Sequence, residues 1–221
     1  YLIKFKTAFT LANKIIVGNN FLKKEIKKLG GKNISVIPTL VEIPQIKKVN
    51  KYNKFTIIWI GSQSTSKYLV RLVSIFNEIL NSNVQFIVIG PYRLEFENKN
   101  IKLVKWNMNS YKKILSKSHV GIMPLDNTLW EKGKCGYKIL QYYSHALPVI
   151  ASPVGFNKEI VKKNITGYLP NYKKDWKKYI LELKKNKTKA NRMGINGYKY
   201  LRKNFNLKKW EKEYFKLIEK F

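Results

Sequence analysis

The sequence holds one cysteine, two histidines and 13 acidic residues against 44 lysines and arginines. Each shortage excludes something. Cys135 has no partner for an intrachain disulfide and no second cysteine for a zinc pattern, so a reducing cytosol is the compartment it suits. His119 and His145 stand apart from any triad-like or metal-like grouping, and both are expected to be structural. No stretch gathers Asp, Glu, His or Cys at ligand spacing, so no metal is expected. The longest apolar runs, such as FTIIWIG, fall far short of the roughly 18 residues that a membrane span needs. The chain opens YLIKFKTAFTLANK, without an initiator Met and without the pattern of a signal peptide. The expectation is that further sequence precedes it.

The excess charge, +31 formally, first suggests a polyanion. Its composition argues otherwise. Only four of the basic residues are Arg, while Asn and Ile abound, the bias expected of an AT-rich coding sequence. Base-edge and bidentate phosphate recognition favour Arg, and the lysines are spread over almost every segment. No specific nucleic-acid partner is expected; peripheral contact with an anionic membrane, at its cytoplasmic face, fits the charge better.

Short β-branched runs alternate with longer segments of helical period, the signature of parallel strands joined by crossover helices. The fold class is therefore α/β, with a doubly wound, mostly parallel sheet and helices at the carboxyl end. Strands are predicted at KIIVG from Lys14, ISVIP from Ile34, FTIIWIG from Phe55, VQFIVIG from Val84, IKLVKW from Ile101, VGIMPL from Val120 and PVIAS from Pro148. Most are apolar throughout, as strands covered on both faces are. Leu69, Leu72, Val73, Phe76 and Leu80 fall on one helical face, as do Trp210, Tyr214, Leu217 and Ile218, and both stripes read as core. Gly194 and Gly197 predict a loosened or broken helix. The stretch from Val41 to Lys54 has no periodicity and reads as a linker. The division expected is a strand-helix-strand unit or the tail of a preceding domain over 1–45, a ligand-binding domain over 46–205 and a terminal helix over 206–221.

Two loops carry the chemistry. Gly61 and the hydroxyl residues of SQSTS follow a strand and precede a helix, with Lys67 near the helix start. Open α/β sheets bind ligands there, and helix-entry amides favour phosphate. An ordinary N-capped turn is the alternative. After VGIMPL comes DNTLWEKGKCGYK, in which Gly133 and Gly136 permit positive φ and close backbone approach, and Lys134 and Lys138 are spaced to share a helix face. Two anion sites on neighbouring strand ends suit one nucleotide diphosphate. Trp106 and Asn107 end a strand and are candidates for the wall of a base pocket; Trp106 as plain core is the alternative. Glu159 either starts a short helix at the carboxyl edge of the sheet or complements its dipole.

Taken in order, IIVGNNFLKKEI, VIPTLVEI, WIGSQSTSKYL, GIMPLDNTLWEKGKCGYKILQYYSHALPVIASPVGFNKEIV and TGYLP resemble the carboxyl-terminal, donor-binding half of retaining GT-B glycosyltransferases, family 4 type. The resemblance covers nearly the whole chain. It implies a nucleotide diphosphate sugar as donor substrate, no cofactor and no metal. It also implies an acceptor-binding domain in front, or on a partner subunit, and a place in cell-envelope polysaccharide synthesis. Gly61, Ser62, Lys67, Trp106, Asn107, Lys134, Cys135, Gly136, Lys138 and Gln141 are the donor-binding positions it indicates. Ser62 stands where many members have Arg. Gly133 and Gln141 fall where the common pattern has two Glu residues, so Glu131 or Asp126 would have to supply a carboxylate from the loop. A GKC…K…LQY arrangement marks a recognisable subgroup. The terminal stripe, with Phe221, resembles a helix that packs back on the front domain. The rival readings are a GT-B-like sugar-nucleotide epimerase and a non-catalytic module that binds polyanions.

Overall fold

The computed structural model describes residues 2–47, 49–81 and 83–218, and all seven expected strands form in it. Helix α1 (Leu2–Leu11) leads into β1 (Ile15–Val17), α2 (Asn20–Lys28) and β2 (Ile34–Val36). β1 and β2 pair in parallel around α2, with Ile15 opposite Ile34. The apolar pattern gave no sign of α1, whose described large side chains are mostly at the surface: Ile3 is 80% and Leu11 76% exposed. From 41 to 54 the described residues form neither helix nor strand, and Val41, Ile43 and Tyr52 pack against the core, with Tyr198 Oη donating to Pro44 O at 2.9 Å.

The remaining strands are β3 (Phe55–Ile60), β4 (Val84–Ile89), β5 (Ile101–Val104), β6 (Val120–Met123), β7 (Val149–Ala151) and β8 (Gly167–Tyr168). They form one parallel sheet in the order β5-β4-β3-β6-β7-β8. β8, two residues long, is too short for any sequence pattern to mark. The helices between them are α3 (Lys67–Val70), α4 (Val73–Ile79), α5 (Ser110–Lys117), α6 (Leu129–Lys132), α7 (Tyr137–Ser144) and α8 (Asn157–Ile160). α9 (Lys173–Lys185), α10 (Lys187–Asn204) and α11 (Leu207–Ile218) follow β8. Every residue of β3 is buried, because both faces of the sheet are covered. Phe55, Ile57 and Trp59 meet α3, α4 and α9 on one face, while Ile58 and Ile60 meet Ile139, Tyr142 and Tyr143 of α7 on the other.

Three expectations are corrected. The stripe Leu69 to Leu80 is divided between α3 and α4, with Arg71 and Leu72 between them; Leu69, Leu72, Phe76 and Leu80 are buried and Val73 only partly so. Gly194 and Gly197 do not break α10, which runs unbroken for 18 residues. They let it lie close to α7 and the turn after it, since a Cβ on Gly194 would overlap Ala146 O and one on Gly197 the Tyr143 ring. The last stripe is not core: Tyr214 is 43% exposed, and Trp210 and Leu217 are only partly covered. Phe221 and the side chain of Ile218 lie outside the described residues.

Candidate functional site

The strand order reverses direction between β3 and β6, which puts the loops after these two strands side by side at the carboxyl edge. Tyr142 holds that point open. Its hydroxyl accepts from Ile60 N at 3.2 Å and donates to Ile122 O at 3.1 Å, so a phenol stands between strand ends that pair directly only at Ile57–Val120 and Ile58–Gly121. A crevice at such a reversal is where open α/β sheets take ligands.

The first wall is the loop after β3. The Ser62 amide donates to Thr65 Oγ1 at 3.1 Å and Thr65 N donates to Ser62 O, closing a tight turn over Gln63–Thr65. Gln63 Oε1 accepts from Tyr92 N at 3.2 Å, tying this turn to the loop after β4. Gly61 is needed for space, because a Cβ there would overlap the Trp59 ring; Gly90, at φ +115°, lies directly against Gly61 O. Ser62 is exposed, and Lys67 is exposed at the first position of α3 with its Nζ 5.5 Å from the centre of the Tyr68 ring.

The second wall is the long loop after β6. Gly136 takes φ +67° at the entrance of α7, whereas Gly133 is right-handed at φ −73°, so only one of the two glycines uses the conformational freedom expected of both. Lys134 precedes α7 and does not share a helix face with Lys138; the two converge instead through aromatic rings. Lys134 Nζ lies 5.3 Å from the Tyr68 ring centre and 5.9 Å from that of Trp130, and Lys138 Nζ lies 4.7 Å above Trp59. Burial, and then the charge of Lys134, hold the Lys138 pKa down to about 8. Three ammonium groups thus stand around Trp59 and Tyr68 with the α7 amides beside them. Such an arrangement attracts a polyanionic group through both charge and backbone donors.

The carboxylates are already engaged. Glu131 is buried; Tyr68 and Thr128 donate their hydroxyls to its two oxygens. Burial alone would raise its pKa, but those hydrogen bonds, its own backbone amide and the Lys134 charge bring it below the ordinary range. It holds the loop and orients Tyr68. Asp126 pairs with Arg71. Among the described residues no group of three His, Cys, Asp or Glu side chains stands together.

The other candidates fall at different distances from the crevice. Gln141 is buried on α7, and its carbonyl accepts from Ser144 Oγ at 2.9 Å. Cys135 packs against Gly18 of the β1–α2 turn, where a Cβ would overlap its sulfur. Trp106 and Asn107 follow β5, two strands from the crevice. Trp106 is 48% exposed and stacks on Tyr111, so it is not core. Asn107 Oδ1 accepts from Asn109 N at 2.9 Å and Ser110 N at 3.2 Å, where α5 begins. Glu159 is an exposed first-turn residue of α8. Both histidines are tied into the scaffold: His119 Nδ1 accepts from Thr56 N at 3.0 Å, and His145 Nδ1 lies 2.9 Å from Ser144 Oγ.

Sequence reasoning missed several supports. Buried Asn19 caps α2 by accepting from Leu22 N at 2.8 Å, and it donates to Gly133 O at 3.0 Å and Lys134 O at 3.3 Å. The amino-terminal unit thereby fixes the lysine loop. An Asn after a strand signals a helix cap, but a bond to residues more than a hundred positions away leaves no local trace. Trp59, Tyr68 and Tyr142 read only as apolar positions in their runs.

Residues 41–200 match the family described as Glycosyl transferases group 1. The chain belongs to that family. Among solved structures, this glycosyltransferase chain is similar to Anabaena HepE in complex with UDP and glucose, at 15% identity and a TM-score of 0.82 over 100% of this chain and 68% of that one. It is similar to S. aureus TarM in complex with fondaparinux, alpha-GlcNAc-glycerol and UDP, at 15% identity and a TM-score of 0.77 over 96% of this chain and 45% of that one. The pneumococcal O-GlcNAc transferase GtfA, with UDP and GlcNAc, aligns at 15% identity and a TM-score of 0.73 over 98% of this chain and 47% of that one. The fold is thus the Rossmann-like one of GT-B glycosyltransferases, and the chain spans about half the length of TarM and GtfA. No curated protein sequence matches it.

Proposed function

We propose that this chain forms the donor wall of a retaining GT-B glycosyltransferase of the family 4 type, which moves a sugar from a nucleotide diphosphate sugar to a glycan, lipid or other acceptor. The observation that carries the reading is the convergence of Lys67, Lys134 and Lys138 on the crevice between β3 and β6, beside the entrance of α7. As the bond from sugar to phosphate breaks, negative charge grows on the diphosphate, and fixed cations and amides facing it lower the barrier. Gly61 and Gly136 give the phosphates room, the first amides of α7 are the backbone donors, and exposed Ser62 offers its hydroxyl, with Cys135 shaping the turn before α7. Gln141 reaches a ribose hydroxyl, and Trp106 and Asn107 flank the base. Asp126, partly exposed beside Arg71, meets the sugar, while Glu131, ionised and bound by Tyr68 and Thr128, holds the loop that faces the donor. UDP in the HepE, TarM and GtfA structures supports the donor class.

On this reading residues 46–205 are the donor domain, 1–45 belong to or adjoin an acceptor domain, and 206–221 reach back toward it. The acceptor wall comes from that domain or from a partner subunit, and the cationic surface rests at the cytoplasmic face of an anionic membrane during envelope polysaccharide synthesis. Calorimetry with UDP and GDP tests the donor site. Replacing Lys67, Lys134 or Lys138 singly by Ala should weaken binding by roughly 1–3 kcal/mol, the worth of a charge-assisted contact. Wild-type affinity in all three variants would overturn the assignment. Donor turnover without acceptor would favour an epimerase, and binding that tracks total anionic charge would favour a polyanion module.

A further inference from the structure

At the amino-terminal end of the sheet, opposite the crevice, lies a second cavity of about 720 Å³. Its floor is apolar, from Phe55, Pro148, Leu183 and Ala190, and its rim carries Lys51, Lys184 and Lys187 with no carboxylate in the lining. A neighbouring hollow of about 540 Å³ shares Lys51 and adds Lys47, Lys112 and Lys113, again without Asp or Glu. The nearby acids are already paired: Glu42 with Lys112 at 2.6 Å and Glu182 with Lys189 at 2.5 Å.

Two groups in the cavity are set to donate. Lys51 Nζ is fixed by Ser116 O and Ser118 O, each at 2.8 Å, which uses two of its three N–H groups. His119 is fixed too. Its Nδ1 accepts from Thr56 N, so the neutral ring carries its proton on Nε2, and among the described residues Nε2 has no hydrogen-bond partner. Phe55 holds the ring from one side, 5.1 Å between centroids. Burial, then the charges of Lys51 and Lys187, keep the imidazole neutral, with a pKa of about 4. A ring that feels both cations while donating from Nε2 describes a pocket of positive potential with an oriented neutral donor at its floor.

We propose that this cavity is a second ligand site, separate from the donor wall, which binds a soluble phosphorylated small molecule through Lys51, Lys184, Lys187 and His119 Nε2–H. The volume is that of a whole small ligand. An apolar floor under a cationic rim suits a molecule with a phosphate at one end and a ring or carbon chain at the other, and a concave pocket selects such a ligand over a flat lipid surface or an extended polyanion. The site abuts Ala146 and Pro148, which follow α7, so a ligand there touches the far end of the helix whose entrance faces the crevice.

Inorganic pyrophosphate is the probe, at constant ionic strength, with the ring signals of the two histidines followed by NMR. To silence the donor wall, the titration uses the purified protein carrying Lys67→Gln, Lys134→Gln and Lys138→Gln. A saturable shift of the His119 signals, weakened at least tenfold by adding Lys184→Gln and Lys187→Gln, is the expected result. Those two side chains lie at the surface, and unchanged circular dichroism would confirm that the fold survives. Three results would overturn the proposal: no His119 shift, a shift unchanged by the two rim substitutions, or a linear response matched by RNA or by anionic vesicles at equal charge.

Discussion

Replacing Lys138 by Met should make the unliganded protein more stable while it weakens ligand binding. Burial, and secondarily Lys134, take the Lys138 pKa from 10.5 to about 8. At neutral pH that shift costs the folded state about 3 kcal/mol. Attraction between the ammonium and the Trp59 ring, 4.7 Å away, offsets about 1–2 kcal/mol of this. An apolar side chain of similar length should therefore stabilise the protein by about 1–2 kcal/mol, or roughly 2–8 °C in Tm for a chain of this size. The sign with pH follows from the folded pKa lying below the unfolded one. Between pH 8 and 10.5 the unfolded chain binds more protons, so the wild type gains stability as pH rises and the gap to the variant closes across that window. Urea denaturation of both proteins at pH 7, 8.5 and 10 measures the gap, and UDP titration at pH 7 should show at least a tenfold loss of affinity. A variant less stable than the wild type at pH 7 would refute the burial argument. A gap that stays constant with pH would do the same, and unchanged UDP affinity would remove Lys138 from the donor site.

Tyr142→Phe deletes the hydroxyl that bridges Ile60 N and Ile122 O. It should cost about 1–3 kcal/mol in urea denaturation, since both groups are left buried and unpaired. Because the folded-state pKa of Glu131 is depressed below 4.5, its contribution is complete above that pH and is lost as pH falls through the lower value. Acid titration of stability should accordingly be shallower in Glu131→Gln than in the wild type. UDP affinity should change less than tenfold on adding EDTA, because the described residues offer no carboxylate cluster to hold a divalent ion beside phosphate; a larger loss by calorimetry would argue for a metal.

The sequence by itself determined five of the six strands of the main sheet, all but the two-residue β8, and the two loops that matter. Runs such as FTIIWI, apolar at all but one position and without alternation, arise when both faces are covered, so the parallel, doubly wound arrangement was legible from Phe55–Ile60 and Val84–Ile89. The positions of Gly61 and Lys67, and of Lys134, Gly136 and Lys138, were legible as well, because strand-end glycines and helix-entry lysines are local signals. Tertiary structure decided what those residues meet. Gly194 and Gly197 look like helix breakers in sequence, but packing against Ala146 and Tyr143 makes them the only residues small enough to fit, and the helix persists. Tyr142 reads as one more apolar helix position, although its hydroxyl parts β3 from β6. Glu131 reads as a free acid in a loop, although Tyr68, 63 residues away, and Thr128 bind it. Asn19 reads as a helix cap alone, yet it also fastens the lysine loop across 114 residues. Periodicity reports which side of an element is buried; only the three-dimensional path of the chain determines which distant polar atoms meet there.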